Sequence, residues 1–329
     1  MLNTRVERLI ARLSEQGVQM HGFLLSVGGV PKAAAYYAPF FEGQPHRMFS
    51  VSKSMVGLAV GILLDEGKLR LSDRLADHFP DDLPPNPDGR LLRLTLRDAL
   101  RMATCYERTV YREGTDDNWA RAFFWGAPTH EPGTVFHYDT SASQVLGALI
   151  RRCSGLSALD FLDARLFSKI GAKDKKCWLT DPSGECQGGT GLFLSLRDLE
   201  KTAHLVLSGG GGLLSKDFLS EMTKKQIDTP PDLTPEGCYG YGYQCWRTRA
   251  GYSFYGMGGQ LAMCCPEKEA LFCTVADTRR DPTGVQKIYD AFFEEIYPLI
   301  GKEDMAPARY DLALPEKELL SLDARLTIR

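Results

Sequence analysis

Ser50 and Lys53 stand three residues apart in Phe49-Ser50-Val51-Ser52-Lys53, directly ahead of a run rich in apolar residues from Met55 to Leu64 that closes on Asp65-Glu66-Gly67-Lys68. The run reads as a buried helix ended by a glycine. If that helix starts near Ser50, the hydroxyl and the amine share one face, with β-carbons about 5–6 Å apart, and the amine can take the hydroxyl's proton. A serine at a helix start also has unpaired backbone N–H groups and the positive end of the helix dipole beside it, which are donors for an oxyanion. This chemistry is that of a nucleophilic serine with a lysine base. Spacing alone leaves a second reading open, in which Ser50 caps a core helix and Lys53 points into solvent. Gly57 and Gly61 each cost about 1 kcal/mol relative to alanine inside a helix, so their presence points to close packing against another backbone.

The elements that position this pair come from both ends of the chain. His21 to Ser26 and Ala33 to Tyr37, joined through Gly28-Gly29, carry a hairpin signal. Gly242 to Arg247, Tyr252 to Tyr255, Gln260 to Cys265 and Ala270 to Ala276 read as four further strands separated by three turns. Between these ends the pattern is helical, with candidates at Thr95 to Met102, Asp117 to Phe124, Ala142 to Cys153, Ala158 to Leu166, Leu196 to Leu207 and Lys216 to Lys224. Gly284 to Ile300 reads as a closing helix with Ile288, Phe292, Phe293 and Ile296 as its inner stripe, and Met1 to Gly17 as an amphipathic surface helix. The expected fold is α+β: an antiparallel sheet built from both chain ends, flanked by helices, with an inserted mainly helical lobe. Residues 1–300 then form one domain, with a sheet lobe of 1–60 and 238–300 and a helical lobe of 61–237. Residues 301–329 are a charged extension whose role the pattern leaves open. A cleft between the lobes is the expected site.

Composition narrows the partners. With 329 residues, 43% of them hydrophobic, the chain can bury a large core, and its net charge of −3 makes no electrostatic case for nucleic acid or an anionic membrane. A small-molecule partner is expected. There is no signal-peptide pattern and no charge-free apolar stretch long enough to span a bilayer, so the expectation is a soluble, cytoplasmic protein. The nine cysteines form no C-x-x-C pair and the six histidines no metal spacing, and no Walker or dinucleotide fingerprint follows a strand, so neither metal nor cofactor is expected.

With these motifs in place, Ser50-Val51-Ser52-Lys53, its helix and Leu69-Arg70-Leu71-Ser72-Asp73 resemble the serine β-lactamase and penicillin-binding-protein superfamily, on its class C and esterase branch. Pro132-Gly133-Thr134-Val135-Phe136-His137-Tyr138-Asp139-Thr140 is similar to the segment that carries that family's tyrosine. Tyr255-Gly256-Met257-Gly258-Gly259-Gln260 is similar to the G-x-G-G-Q variant of 6-aminohexanoate-dimer hydrolases and related esterases, in the place of K-T-G. The resemblance runs from about His21 to Pro298. It implies Ser50 as nucleophile, Lys53 and Tyr138 as proton shuttle, the N–H groups of Ser50 and Gly259 as oxyanion hole, and Thr140, Gly256, Met257, Gly258 and Gln260 at the substrate. A nearby ammonium would favour the Tyr138 phenolate.

Two departures shape the expected chemistry. Thr140 stands where the family has asparagine or serine, and its hydroxyl replaces only part of that hydrogen bonding. Gly256 stands where β-lactamases have a lysine that recognises a carboxylate, which argues against efficient penicillin turnover. The expected activity is hydrolysis of a small-molecule ester or amide through an acyl-enzyme. The alternatives are a β-lactamase, D-amino-acid peptidase or acyltransferase with the same machinery, or a binding or sensor protein that has lost turnover. Phe123, Phe124 and Trp125 are either an acyl-pocket wall or lobe core, and His130 and His137 either line the cleft or are structural.

Overall fold

The computed structural model describes residues 2–110, 116–231, 236–302 and 306–328. The candidate helical lobe thus includes two short stretches, 111–115 and 232–235, that lie outside the described residues, as do 303–305 and the chain ends.

Strands β1 (Met20–Val27) and β2 (Val30–Ala38) form the expected hairpin, and Gly28 and Gly29 at its tip take φ of +57° and +73°. Only glycine adopts two such angles in succession without strain, which is why a two-residue turn works here. A small sheet holds β3 (Pro45–Arg47), β4 (Cys177–Trp178) and β5 (Leu192–Ser195), with β5 in the centre. The late strands are β6 (Trp246–Thr248), β7 (Gly251–Gly256), β8 (Gln260–Cys265) and β9 (Ala270–Ala276). They meander antiparallel, and β9 pairs with β1 so that Phe23 faces Thr274. The two chain ends therefore close one sheet. The charged segment after residue 300 supplies β10 (Ala308–Ala313), which runs parallel to β2 and completes the order β10-β2-β1-β9-β8-β7-β6.

Strand periodicity sends alternate residues into two cores. From β9, Phe272 joins Phe23, Leu9, Leu13, Ile288 and Phe292 beneath helices α1 (Leu2–Glu15) and, at the chain's far end, Gly284–Ala291. Leu271, Cys273 and Val275 face the opposite core, shared with helices α2 (Val51–Asp65), α3 (Thr140–Ser154) and α4 (Leu196–Leu207). This is a sheet covered by helices on both faces, with the helical lobe on the α2 side.

Helix α2 is buried along almost its whole length. A β-carbon on Gly61 would stand 2.1 Å from the Phe218 ring, and one on Gly57 3.3 Å from the Tyr243 carbonyl. The close packing expected of both glycines is present, against a ring in the first case and a backbone in the second.

Besides the small sheet and the parallel edge strand β10, which departs from the expected all-antiparallel sheet, two expected elements are shorter than read from the sequence. Regular helix in the last segment, α5 (Gly284–Ala291), is followed by a widened turn over Phe292–Ile296 and a tight one over Tyr297–Leu299, which contains Pro298. Ile288, Phe292 and Ile296 are buried as the stripe requires, while Phe293 is half-buried under the Arg249 guanidinium, 4.6 Å from its centroid. Of Gly242 to Arg247 only Trp246 and Arg247 are strand. Gln244 adopts φ +55°, its N–H bonds to Leu100, and its side-chain amide ties Ser143, Ala99 and Leu100 together.

Candidate active site

Ser50 is the residue ahead of α2, with φ −72° and ψ −4°, and its side chain makes no capping hydrogen bond. The hydroxyl is therefore not used up by the helix. Phe49 immediately before it has φ +45°, a conformation costing on the order of 1–3 kcal/mol in a residue with a side chain. Two guanidinium groups approach its ring, Arg47 at 5.0 Å and Arg279 at 5.7 Å from the centroid. Val51 and Ser52 N–H groups turn back onto the carbonyls of Met48 and Phe49, whereas the Ser50 N–H has no backbone acceptor among the described residues. It can donate to an incoming oxygen.

Lys53, one turn along α2, is 1% exposed. Its Nζ donates to Ser50 Oγ at 3.1 Å, Thr140 Oγ1 at 3.3 Å and the Gly189 carbonyl at 2.8 Å. Burial lowers its pKa to about 7, opposed by the nearby Asp139 carboxylate. A large fraction of Lys53 is thus neutral at physiological pH and able to accept a proton. The solvent-facing lysine reading does not hold.

Tyr138 and Thr140 flank Asp139, whose carboxylate caps α3 by accepting from the Ser141 N–H at 2.8 Å. This cap fixes the entry of the helix and so aims both neighbours at Lys53. Burial raises the Tyr138 pKa well above its ordinary value, and a hydrogen bond with Ser50 only partly offsets this. Lys53 approaches the ring face, 5.0 Å from its centroid. The expected resting phenolate is not favoured here: desolvation of the buried phenol outweighs the hydrogen bonds with Ser50 and Trp246 that favour its charged form.

The turn after β7 reaches the other side of Ser50. A β-carbon at Gly256 would stand 2.2 Å from the Met48 carbonyl, so the end of β7 lies against the backbone leading into the nucleophile. Gly258 and Gly259 take φ of +88° and +93°. Met257 and Gly258 line the cleft. A β-carbon on Gly259 would instead meet Ile288 and Ala276, and its carbonyl accepts the Thr274 hydroxyl at 2.7 Å. Gln260, expected at the substrate, is buried and donates its amide to the carbonyls of Ala276 (2.7 Å) and Met257 (3.3 Å). It holds the turn in shape, and its side chain does not border the cleft.

A cavity of about 370 Å³ extends from Tyr138 along an aromatic wall that includes Phe136, Trp246, Tyr255 and Tyr289. The Tyr138 and Trp246 rings are 5.1 Å apart and Tyr241 stands edge-on to Trp246 at 4.9 Å. Trp246, Tyr255 and the Gly189 carbonyl are the residues that sequence reasoning missed. The density of aromatic residues between Tyr239 and Tyr255 was the available signal for the wall; the Gly189 contact had none. Phe123 and Phe124 are lobe core, and Trp125 bonds to the Asp82 carbonyl at 3.1 Å. Neither His130 nor His137 lines the cavity beside Tyr138; the His137 N–H donates to Met102 and the His130 ring contacts Thr129. Among the described residues no group of three His, Cys, Asp or Glu could hold a metal ion, and no helix is long and apolar enough to cross a membrane.

A sheet covered on both faces, an inserted helical lobe and a serine and lysine at the start of helix α2 define a class, the serine hydrolases of the β-lactamase and penicillin-binding-protein superfamily. The Beta-lactamase family model matches residues 6–289, and the chain belongs to that family. A 6-aminohexanoate-dimer hydrolase of Paenarthrobacter ureafaciens is 25% identical over 296 residues, spanning 82% of this chain and 75% of the relative. A Bacillus anthracis protein provisionally named a 6-aminohexanoate-dimer hydrolase superposes with a TM-score of 0.73 at 19% identity, over 85% of this chain and 79% of that one. The D-amino acid amidase of Ochrobactrum anthropi SV3 does so with a TM-score of 0.69 at 15% identity, over 89% and 98%. These two structural likenesses speak to the fold.

Proposed function

We propose that this hydrolase cleaves a small-molecule ester or amide through an acyl-enzyme on Ser50. The observation that carries the reading is the Lys53 amine, buried, lowered to about pKa 7 and 3.1 Å from Ser50 Oγ. Neutral Lys53 takes the proton as Ser50 Oγ bonds to the substrate carbonyl carbon, and the carbonyl π pair moves onto oxygen. That oxyanion is held by the Ser50 N–H and a backbone N–H of the Met257–Gly259 turn, Gly259 by family resemblance. Collapse expels the alkoxide or amine, which takes a proton from the Tyr138 hydroxyl while Lys53 restores it. In the second half-reaction water attacks the acyl carbon and its proton travels through Tyr138 to Lys53. Collapse then releases the acid and returns the proton to Ser50.

Ester or amide hydrolysis is favoured over β-lactam hydrolysis because Gly256 stands at the position of the family lysine and, among the described residues, the cation that borders the cavity, Arg279, is already bonded to Asp277 and Asp323. A fluorophosphonate probe followed by mass spectrometry tests the scheme. The adduct should lie on Ser50 in the wild type and be lost in Lys53→Met; labelling at another serine, or none, would end this reading.

A further inference from the structure

The cavity beside Tyr138 contains charged residues, and the state of each decides what it can recognise. Glu236 is buried and ion-paired with Arg249, which also lies 3.5 Å from Asp290. Arg279 donates to Asp277 at 2.7 and 2.8 Å and to Asp323 at 3.0 Å. Asp281 accepts from Lys287 at 2.7 Å and from the N–H and hydroxyl of Thr283. Among the described residues, every charged side chain bordering the cavity therefore has an opposite charge already in contact with it. The hydroxyl of Tyr289 is likewise occupied, donating to Ser253 at 3.0 Å. What remains facing the space is largely ring and thioether surface: Phe136, Trp246, Tyr255 and Met257, the last 49% exposed although apolar.

From this we infer that the substrate group seated next to the scissile bond is neutral and apolar, an aromatic ring or an unbranched chain of medium length, and carries neither a carboxylate nor an ammonium. This rests on the ester or amide hydrolase reading and specifies its substrate class. A charged group entering the cavity would lose its water shell and meet no unpaired counter-charge, so it would have to break an existing ion pair to be satisfied. An apolar group loses nothing comparable. Each methylene it buries is worth about a fourfold gain in binding, and the volume lies within the range of small-molecule sites. The aromatic walls also favour a stacked or edge-on ring.

A matched set of p-nitrophenyl esters separates the possibilities, because the hexanoate, 6-aminohexanoate and adipate monoester differ chiefly in the terminal charge. The expected result is a kcat/KM for hexanoate and phenylacetate at least tenfold above that for 6-aminohexanoate, adipate and acetate. Trp246→Ala should lower the hexanoate value more than the acetate value and so narrow their ratio. Equal or better turnover of either charged ester, or a ratio untouched by Trp246→Ala, overturns the inference while leaving Ser50 acylation standing. Hydrolysis of none of the esters, with no Ser50 adduct, would remove the hydrolase reading and this inference with it.

Discussion

The carbonyl oxygen of Gly189 lies 2.8 Å from Lys53 Nζ, nearer than the Ser50 hydroxyl that the lysine is to deprotonate. The amine is thus aimed by a residue far away in sequence, in a stretch that resembles only a loop. A β-carbon at position 189 would stand 2.4 Å from Thr140 Cγ2 and 3.1 Å from Lys53 Nζ. Gly189→Ala should therefore displace the amine and lower kcat/KM on the order of 100-fold. Ester kinetics beside a thermal melt would check it, since a proportionate loss of folded protein would point to a fold defect instead.

The pH profile follows from Lys53. Acylation needs the neutral amine, and burial places its pKa at about 7. Acylation should be half-maximal near pH 7, flatten above pH 8 and fall about tenfold per unit below pH 6. Pre-steady-state acylation rates measured from pH 5 to 9 would show this limb, and a flat profile across that range would exclude Lys53 as the base.

Stability carries the same signature with its own sign. The folded-state pKa of Lys53 is below the unfolded value, so between about pH 7 and 10 the unfolded chain binds the extra proton and stability rises with pH. Between pH 7 and 9 this amounts to about 2 kcal/mol. Urea unfolding of the wild type and Lys53→Met at both pH values should show their difference changing by about that amount, in favour of the wild type at pH 9.

Restoring the family's cation at the end of β7 should fail. In Gly256→Lys the new β-carbon meets the Met48 carbonyl at 2.2 Å, a backbone atom that cannot swing aside. We expect a loss of about 1–3 kcal/mol, weaker ester hydrolysis and no gain of benzylpenicillin turnover. Denaturant curves and an absorbance assay of the β-lactam would test both parts.

Ser50→Ala should abolish ester hydrolysis with an unchanged melting curve, because the hydroxyl does not cap α2. Marked unfolding would return Ser50 to the role of a helix cap.

Local sequence determined the parts whose cause is local. Given the apolar helical run that follows them, the three-residue spacing of Ser50 and Lys53 puts both at one helix start, and alternation along β1, β8 and β9 specifies which side chains enter which core. The Gly28-Gly29 turn follows from backbone sterics at two adjacent residues. Tyr138 could be matched by the motif around it, yet its protonation depends on burial and could not be read from the motif. Only the tertiary structure decided the remainder: that Gly189 aims the amine, that Gln260 braces a turn, that Trp246 walls the cavity, and that residues 308–313 pair parallel with β2. Each of those is a contact between segments distant in the chain. No periodicity or spacing records such contacts, because desolvation and close packing depend on which surfaces meet once the whole chain has folded.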